Sequence, residues 1–165
     1  MATYSDSNFN ADRYDAARPS YPDLFYDALI SYHKAGKGDV SLAVDIGCGS
    51  GFVTFKLGEY FDKVIGTDVS ETMIKKCKVA NKSEQVQFYI GAAEKSPEVI
   101  AANSVSLLTG ADCCHWVDHE RFFKESFRVL QPGGSLAYWF FQHPVFVGFD
   151  KANEIYDSYC YGSDA

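Results

Sequence analysis

The sequence predicts a doubly wound α/β fold, and three observations carry that expectation. Short apolar strands alternate with amphipathic helical segments along the chain. The first strand lies inside Leu42–Phe55 (LAVDIGCGSGFVTF) and runs straight into a turn with glycine at alternate positions, Gly47, Gly49 and Gly51. The second strand ends in an acid, Asp68, about twenty residues beyond that turn.

Taken in order, residues 1–21 are polar and aromatic, with Tyr14, Arg18, Pro19 and Tyr21. Pro22 suits the first position of a helix. Leu24, Phe25, Ala28, Leu29 and Tyr32 follow at three-to-four spacing and are expected to form its buried face. His33 and Lys34 stand near its end, where cations are favoured, and Gly36 and Gly38 stop it. Ala43, Val44 and Ile46 then make a strand buried on both faces. After the glycine turn a helix is expected to about Tyr60, its first N–H groups turned toward whatever lies in the turn. Lys63–Thr67 (KVIGT) is the second strand.

Ser70 is a good N-cap, with Glu71 in the first turn of a helix whose buried face is Met73, Ile74, Cys77 and Ala80. Cys77 therefore reads as a small core residue. Gln85–Ile90 alternates polar and apolar residues and predicts a third strand at the sheet edge. Val105–Thr109 is the fourth strand. Asp118 caps a helix carrying Phe122, Phe123, Phe127 and Leu130, residues 131–134 (QPGG) make a turn, and Ser135–Phe141 is a β-prone fifth strand. Ala152, Ile155, Tyr156 and Tyr159 fall at helical spacing in a last segment. In this architecture a ligand sits at the carboxyl ends of the strands, where Asp45, Asp68, Ala93 and Ala111 end or follow a strand.

Composition narrows the partners. The chain has 165 residues, enough for one domain with a real core, and a formal charge of −7. With 22 acidic against 15 basic residues and no basic stripe, nucleic acid is not an expected partner. The five cysteines, Cys48, Cys77, Cys113, Cys114 and Cys160, form no C-x-x-C pair, so neither a metal site nor a disulfide framework is expected. No signal-peptide pattern opens the chain and no run of about 18 apolar residues occurs, which predicts a reducing, cytoplasmic setting without membrane contact.

Two ligand classes use a glycine turn of this kind. A dinucleotide fold wants G-x-G-x-x-G, and the third glycine would fall on Phe52. The pattern present is D-x-G-x-G-x-G, with Asp45 in the strand end. Asp68 can accept both ribose hydroxyls of an adenosine in either class, or it can simply cap a turn.

The ordered set of motifs resembles the class I S-adenosylmethionine (SAM) dependent methyltransferases, and among them the fungal trans-aconitate methyltransferase group. The motifs are Tyr14 with residues 18–22 (RPSYP), VDIGCGSG from Val44, GTDVSETMI from Gly66, the His115–Trp116 pair, and RVLQPGGSLAYW from Arg128. The resemblance implies a Rossmann-like methyltransferase sheet of about five mostly parallel strands, lacking the usual last two. It implies one domain over residues 1–165: a helical cap at 1–40, the core at 41–142 and a partial lid at 143–165. SAM is the implied cofactor and S-adenosylhomocysteine (SAH) the product. Gly47, Gly49 and Gly51 would cradle the methionine part, Asp45 would support its ammonium, Asp68 would hold the ribose, and Val69 would pack on the adenine. Tyr14, Ala92, Ala93 and Ala111 would complete the cofactor site, with Ala92 standing where the family often has an aspartate. Arg18, His115 and Trp116 would line the acceptor side, Arg18 holding a small carboxylic acid by a bidentate pair. The alternative reading is a non-catalytic, SAM-binding short form that works through a partner chain. The fifth strand is then expected to leave an apolar edge open to self-association.

Overall fold

The computed structural model describes residues 20–141 and 145–162. Tyr14, Arg18 and Pro19 therefore lie outside the described residues. The elements are α1 (Asp23–Ala35), β1 (Leu42–Ile46), α2 (Phe52–Leu57), β2 (Lys63–Asp68), α3 (Glu71–Ala80), β3 (Val86–Ile90), β4 (Val105–Ala111), a 3₁₀ turn (Cys114–Trp116), α4 (His119–Val129), β5 (Leu130–Trp139) and α5 (Asp150–Tyr161). The five strands form one sheet in the order β3-β2-β1-β4-β5. Every pairing is parallel.

Strand parity explains the two-sided core. Ala43, Val64 and Leu107 point into one cluster with Val53, Leu57, Ile74, Cys77 and Phe88. Their neighbours Val44, Ile65 and Leu108 point into the other, with Ile46, Ile100, Phe122 and Val129. A strand covered on both faces has no polar side to show, so its sequence reads as a continuous apolar run. β3 and β5 are the sheet's edges, β3 as the alternating Gln85–Ile90 pattern predicts and β5 as the resemblance implies. Among the described residues no strand pairs with the outer side of β5.

Local signals place most boundaries. Ser70 Oγ accepts from Met73 N and Asp118 Oδ1 accepts from Arg121 N, so both predicted caps are in place. Gly36 ends α1, its N–H donating to Tyr32 O. The helix after the glycine turn is shorter than expected, stopping at Leu57 because Gly58 N turns back to the Thr54 and Phe55 carbonyls.

Several expectations need correction. The buried stripe of α1 is Tyr26, Ile30 and His33, while Leu24, Ala28 and Tyr32 face out and Phe25 and Leu29 are half-buried. In α4 only Phe122 of the three phenylalanines is buried, beside Ser126 and Val129, and Leu130 already belongs to β5. β5 pairs from Leu130 to Trp139, with residues 131–134 forming an irregularity between the Val105–Leu130 and Leu107–Ser135 pairs rather than a turn ahead of the strand. Pro132 lacks a ladder donor and Gly133 takes φ 81°, which is why that stretch leaves the register without ending the strand.

His33 also departs from its expected role as a solvated cation at a helix end. It is fully buried: Nε2 donates to Asp39 O at 2.7 Å and Nδ1 faces Ser135 Oγ at 2.9 Å. A carbonyl only accepts, so Nε2 carries a hydrogen, while Nδ1 shares one with the serine hydroxyl. The ring thereby latches α1 to β5 across the sheet end. Gly38 makes room for it, since a Cβ there would stand 2.0 Å from His33 Cε1.

Candidate functional site

The sheet brings the glycine turn and the ends of β2, β3 and β4 to one edge, and a cleft opens there. Its lining includes Tyr21, Asp45, Gly47, Gly49, Ser50, Phe52, Asp68, Val69, Ala93, Glu94, Ala111, Asp112, His115 and Trp116. The turn itself is built by positive φ at Gly47 (58°), Gly49 (53°) and Gly51 (87°). Gly47 is also packed, a Cβ there meeting Cys113 Cβ at 2.7 Å. At Gly49 the space a Cβ would enter holds nothing within 4 Å, so the turn presents bare backbone to the cleft.

Asp68 moors the turn. Its Oδ2 accepts from Gly49 N at 2.9 Å and its Oδ1 from Ser70 N at 2.8 Å. Each carboxylate oxygen keeps a second lone pair. Both expected roles are thus compatible in one residue: it braces two backbone groups and still has acceptor capacity toward the cleft.

Asp45 forms the floor. It is 1% exposed, with Oδ2 accepting from Thr54 Oγ1 at 2.7 Å and Oδ1 from Thr109 Oγ1 at 2.8 Å. Burial pushes its carboxyl up to about 6, against the pull of the two threonine hydroxyls. The phenol of Tyr26 is pushed up to about 12, by burial first and by the Asp45 charge next.

The thiols support the turn. Cys77 Sγ donates to Gly49 O at 3.2 Å, and Cys113 Sγ to Ile46 O at 3.4 Å. Contact with the Cys77 thiol, then burial, raises Cys48 well above the usual thiol range. The neighbouring Cys114 thiol, then burial, does the same to Cys113. Thiols held protonated are poor nucleophiles.

Across the mouth, Glu94 Oε1 accepts from Asp118 N at 2.9 Å and ties the segment after β3 to the one after β4. His115 and Trp116 stand on that second segment with ring centroids 4.9 Å apart, and Trp116 is 56% exposed. Asp112 takes φ 55°, a conformation aspartate tolerates, and donates its N–H to Trp139 O at 2.7 Å.

Of the residues expected at the site, Asp45, Gly47, Gly49, Asp68, Val69, Ala93, Ala111, His115 and Trp116 line the cleft together. Gly51 and Ala92 are not among the lining residues. Gly51 is buried under Phe55, whose Cε2 lies 2.8 Å from where a Cβ would be. Tyr21, Ser50, Phe52, Glu94 and Asp112 line it without having been singled out for it. Ser50, Phe52 and Asp112 were legible as direct neighbours of predicted positions. Tyr21 carried only its place in the RPSYP motif.

The arrangement fits a ligand with an adenosine and an amino-acid arm. A carboxylate with spare acceptor capacity stands at the end of β2, bare backbone at Gly49, and an exposed apolar side chain, Val69, beside them. Buried hydroxyls of Tyr21 and Ser50 lack partners there, which is a donor set a polar ligand would satisfy.

Comparison with known proteins agrees. Residues 44–138 match a family model described as "Methyltransferase domain". The chain is 32% identical, over 98% of its own length and 56% of the relative's, to the "Probable S-adenosylmethionine-dependent methyltransferase CRG1" of Saccharomyces cerevisiae. It is 35% identical to methyltransferase pgmE of Aspergillus terreus, over 82% of this chain and 42% of that one. A solved chain from Anaeromyxobacter dehalogenans, described as a "Putative Type II Methyltransferase", superposes with TM-score 0.70 at 28% identity, covering 88% of this chain and 57% of that one. The chain thus spans about half the length of the curated relatives it matches.

Proposed function

The chain belongs to the methyltransferase-domain family whose cofactor is SAM, and from that membership we propose that it transfers a methyl group from SAM to a small-molecule acceptor in the cleft. The observation that carries this reading is the joint placement of Asp68, bare Gly49 and buried Asp45 at one end of the sheet. No helix among the described residues is long and apolar enough to cross a membrane.

In this reading residues 41–142 are the catalytic core, flanked by the cap at 1–40 and the partial lid at 143–165. Asp68 accepts from the ribose hydroxyls, Val69 covers the adenine, and the Gly47–Gly49 backbone with Asp45 holds the amino-acid arm; Gly51, packed beneath Phe55, shapes the turn. Ala93 and Ala111 border the cofactor, and Tyr14, outside the described residues, is a further proposed contact. When bound, SAM supplies an activated methyl on a sulfonium whose leaving group is a neutral thioether. The protein's share is then alignment and exclusion of water rather than acid–base chemistry. Trp116 walls the acceptor side and His115 orients the acceptor.

The finer proposal, a carboxylic-acid acceptor of the aconitate kind, needs a cation at the acceptor. Among the described lining residues the acids are Asp45, Asp68, Glu94 and Asp112, and no lysine or arginine is present. Arg18 is the residue that would supply it. A screen of radiolabelled methyl transfer, starting from aconitate-like acids, tests both levels. For an acidic acceptor, Arg18→Ala is expected to raise KM about tenfold or more with little change in kcat, the loss of a charge-assisted pair. An unchanged KM removes Arg18 from the acceptor side. SAH binding without transfer to any acceptor would leave the chain a cofactor-binding module.

A further inference from the structure

Two pairs of neighbouring thiols lie behind the glycine turn, and they differ in exposure. Cys77 is fully buried, and its thiol and that of Cys48 face Gly49 O at 3.2 and 3.9 Å. The second pair, Cys113 and Cys114, follows β4 and is half-buried. Cys113 is wedged beneath the turn: its Sγ lies 3.4 Å from Ile46 O, and a Cβ on Gly47 would meet its Cβ at 2.7 Å. Cys114 opens the 3₁₀ turn that carries His115 and Trp116. Trp116 N donates to Cys113 O at 3.0 Å and His119 Nε2 to Cys114 O at 2.8 Å, so the carbonyls of both cysteines hold that segment.

Oxidation needs a thiolate that an oxidant can reach and a second thiol to trap the product. In the first pair the more accessible thiol, Cys48, is raised by its contact with Cys77. In the second pair, contact with the Cys113 thiol lowers Cys114 from its ordinary value, against burial, and His119 lowers it further. Hydrogen peroxide takes the Cys114 thiolate to a sulfenic acid: a sulfur–oxygen bond forms, the O–O bond breaks and hydroxide leaves. Cys113 is held protonated chiefly by its contact with the Cys114 thiol, and that contact ends once Cys114 carries oxygen. The Cys113 sulfur then attacks the Cys114 sulfur. A sulfur–sulfur bond replaces the sulfur–oxygen bond, and the Cys113 proton leaves with the hydroxyl as water. Two thiols and one peroxide thus give one disulfide and two waters.

We propose that Cys113 and Cys114 form a peroxide-oxidisable pair whose vicinal disulfide displaces the His115–Trp116 segment and lowers the affinity of the cleft for its cofactor. The eight-membered ring contains the peptide bond between the two cysteines, so closing it turns the Cys113 carbonyl to which Trp116 N donates. Closure also draws Cys113 Sγ from Ile46 O and from its place under Gly47. Adjacent Cα atoms stand about 3.8 Å apart, short of the about 4.4–6.8 Å that an ordinary disulfide spans, so the ring is strained. A strained, partly exposed disulfide is readily reduced, which makes the modification reversible. The thiol chemistry is independent of the methyltransferase reading, and its effect on the cofactor rests on that reading.

The test treats the reduced chain with a slight excess of hydrogen peroxide and follows intact mass, tryptophan emission and SAH affinity by calorimetry. The wild type should lose about 2 Da, the mass of two hydrogens, and shift its emission in a way that Trp116→Phe abolishes. Its SAH affinity should fall about tenfold or more, and dithiothreitol should reverse all three changes. Cys114→Ser should show none of them. Cys113→Ser should stop at the sulfenic acid, gaining about 16 Da and reacting with dimedone. A loss of about 2 Da that persists in Cys114→Ser places the bond elsewhere and overturns the proposal. So does a wild type that keeps its thiols, or that takes up oxygen only at Cys160. A Cys113–Cys114 disulfide that leaves emission and SAH affinity unchanged overturns the coupling to the cleft. A chain that forms the disulfide and shifts its emission, yet never binds SAH when reduced, upholds the thiol pair and overturns the methyltransferase reading instead.

Discussion

Replacing Asp68 with alanine should weaken SAH binding by at least about 100-fold, the largest loss expected from any single side chain in the cleft. Two effects add. The carboxylate is the proposed acceptor for the ribose, and charge-assisted hydrogen bonds are the stronger kind. The same oxygens hold Gly49 N at 2.9 Å and Ser70 N at 2.8 Å, so alanine also unmoors the glycine turn and the start of α3. Asp68→Asn separates the two. Its amide oxygen can still accept a backbone N–H, so the fold should be nearer wild type by thermal unfolding while SAH affinity falls about tenfold. Near-wild-type SAH affinity in Asp68→Ala would show that the carboxylate only ties the turn.

Asp45 should make both stability and affinity depend on pH, in opposite directions. Its carboxyl is pushed up to about 6 by burial, above the value of an exposed aspartate. A raised folded value means the native state binds the proton more tightly than the unfolded chain. Its contribution to stability is therefore complete below about pH 4 and is lost as pH rises through about 6, by about 3 kcal/mol in all. Asp39 and Glu125 are each held down to about 2, Asp39 by the Ser41 hydroxyl and amide and Glu125 by Arg128, so they act with the opposite sign at lower pH. The informative quantity is the difference between wild type and Asp45→Asn across pH 4 to 8. Asp45→Asn should gain stability relative to wild type as pH rises through about 6. SAH affinity of the wild type should rise over the same interval, because the ligand's ammonium is favoured by the ionised carboxylate. A flat difference in denaturant midpoints, with pH-independent SAH affinity, would remove Asp45 from both roles.

Much of this was legible in the sequence because backbone geometry imposes it. Alternate glycines after an apolar strand, an acid ending the next strand and Ser70 or Asp118 before a helix each answer a local demand. The edge position of β3 followed from its alternating pattern. Packing direction was less legible. Leu24 and Tyr32 satisfy helical spacing as well as Tyr26 and Ile30 do, and only the tertiary placement of α1 against the sheet chooses between them. His33 was misread because its partners, Asp39 O and Ser135 Oγ, come from beyond the helix, Ser135 far along the chain. The same limit hid Tyr21: its position in the cleft depends on Trp139, at the far end of β5. Asp68 shows the converse, a residue whose ligand role was expected and whose mooring of Gly49 emerges only in three dimensions.

The central claim is that the cleft at the glycine turn holds the adenosyl cofactor of this family. Calorimetric titration of the chain with SAH, with NAD as the control, tests it most directly. The account predicts saturable, one-to-one binding of SAH and no response to NAD. A folded chain that takes up NAD, or ignores both ligands, would contradict it.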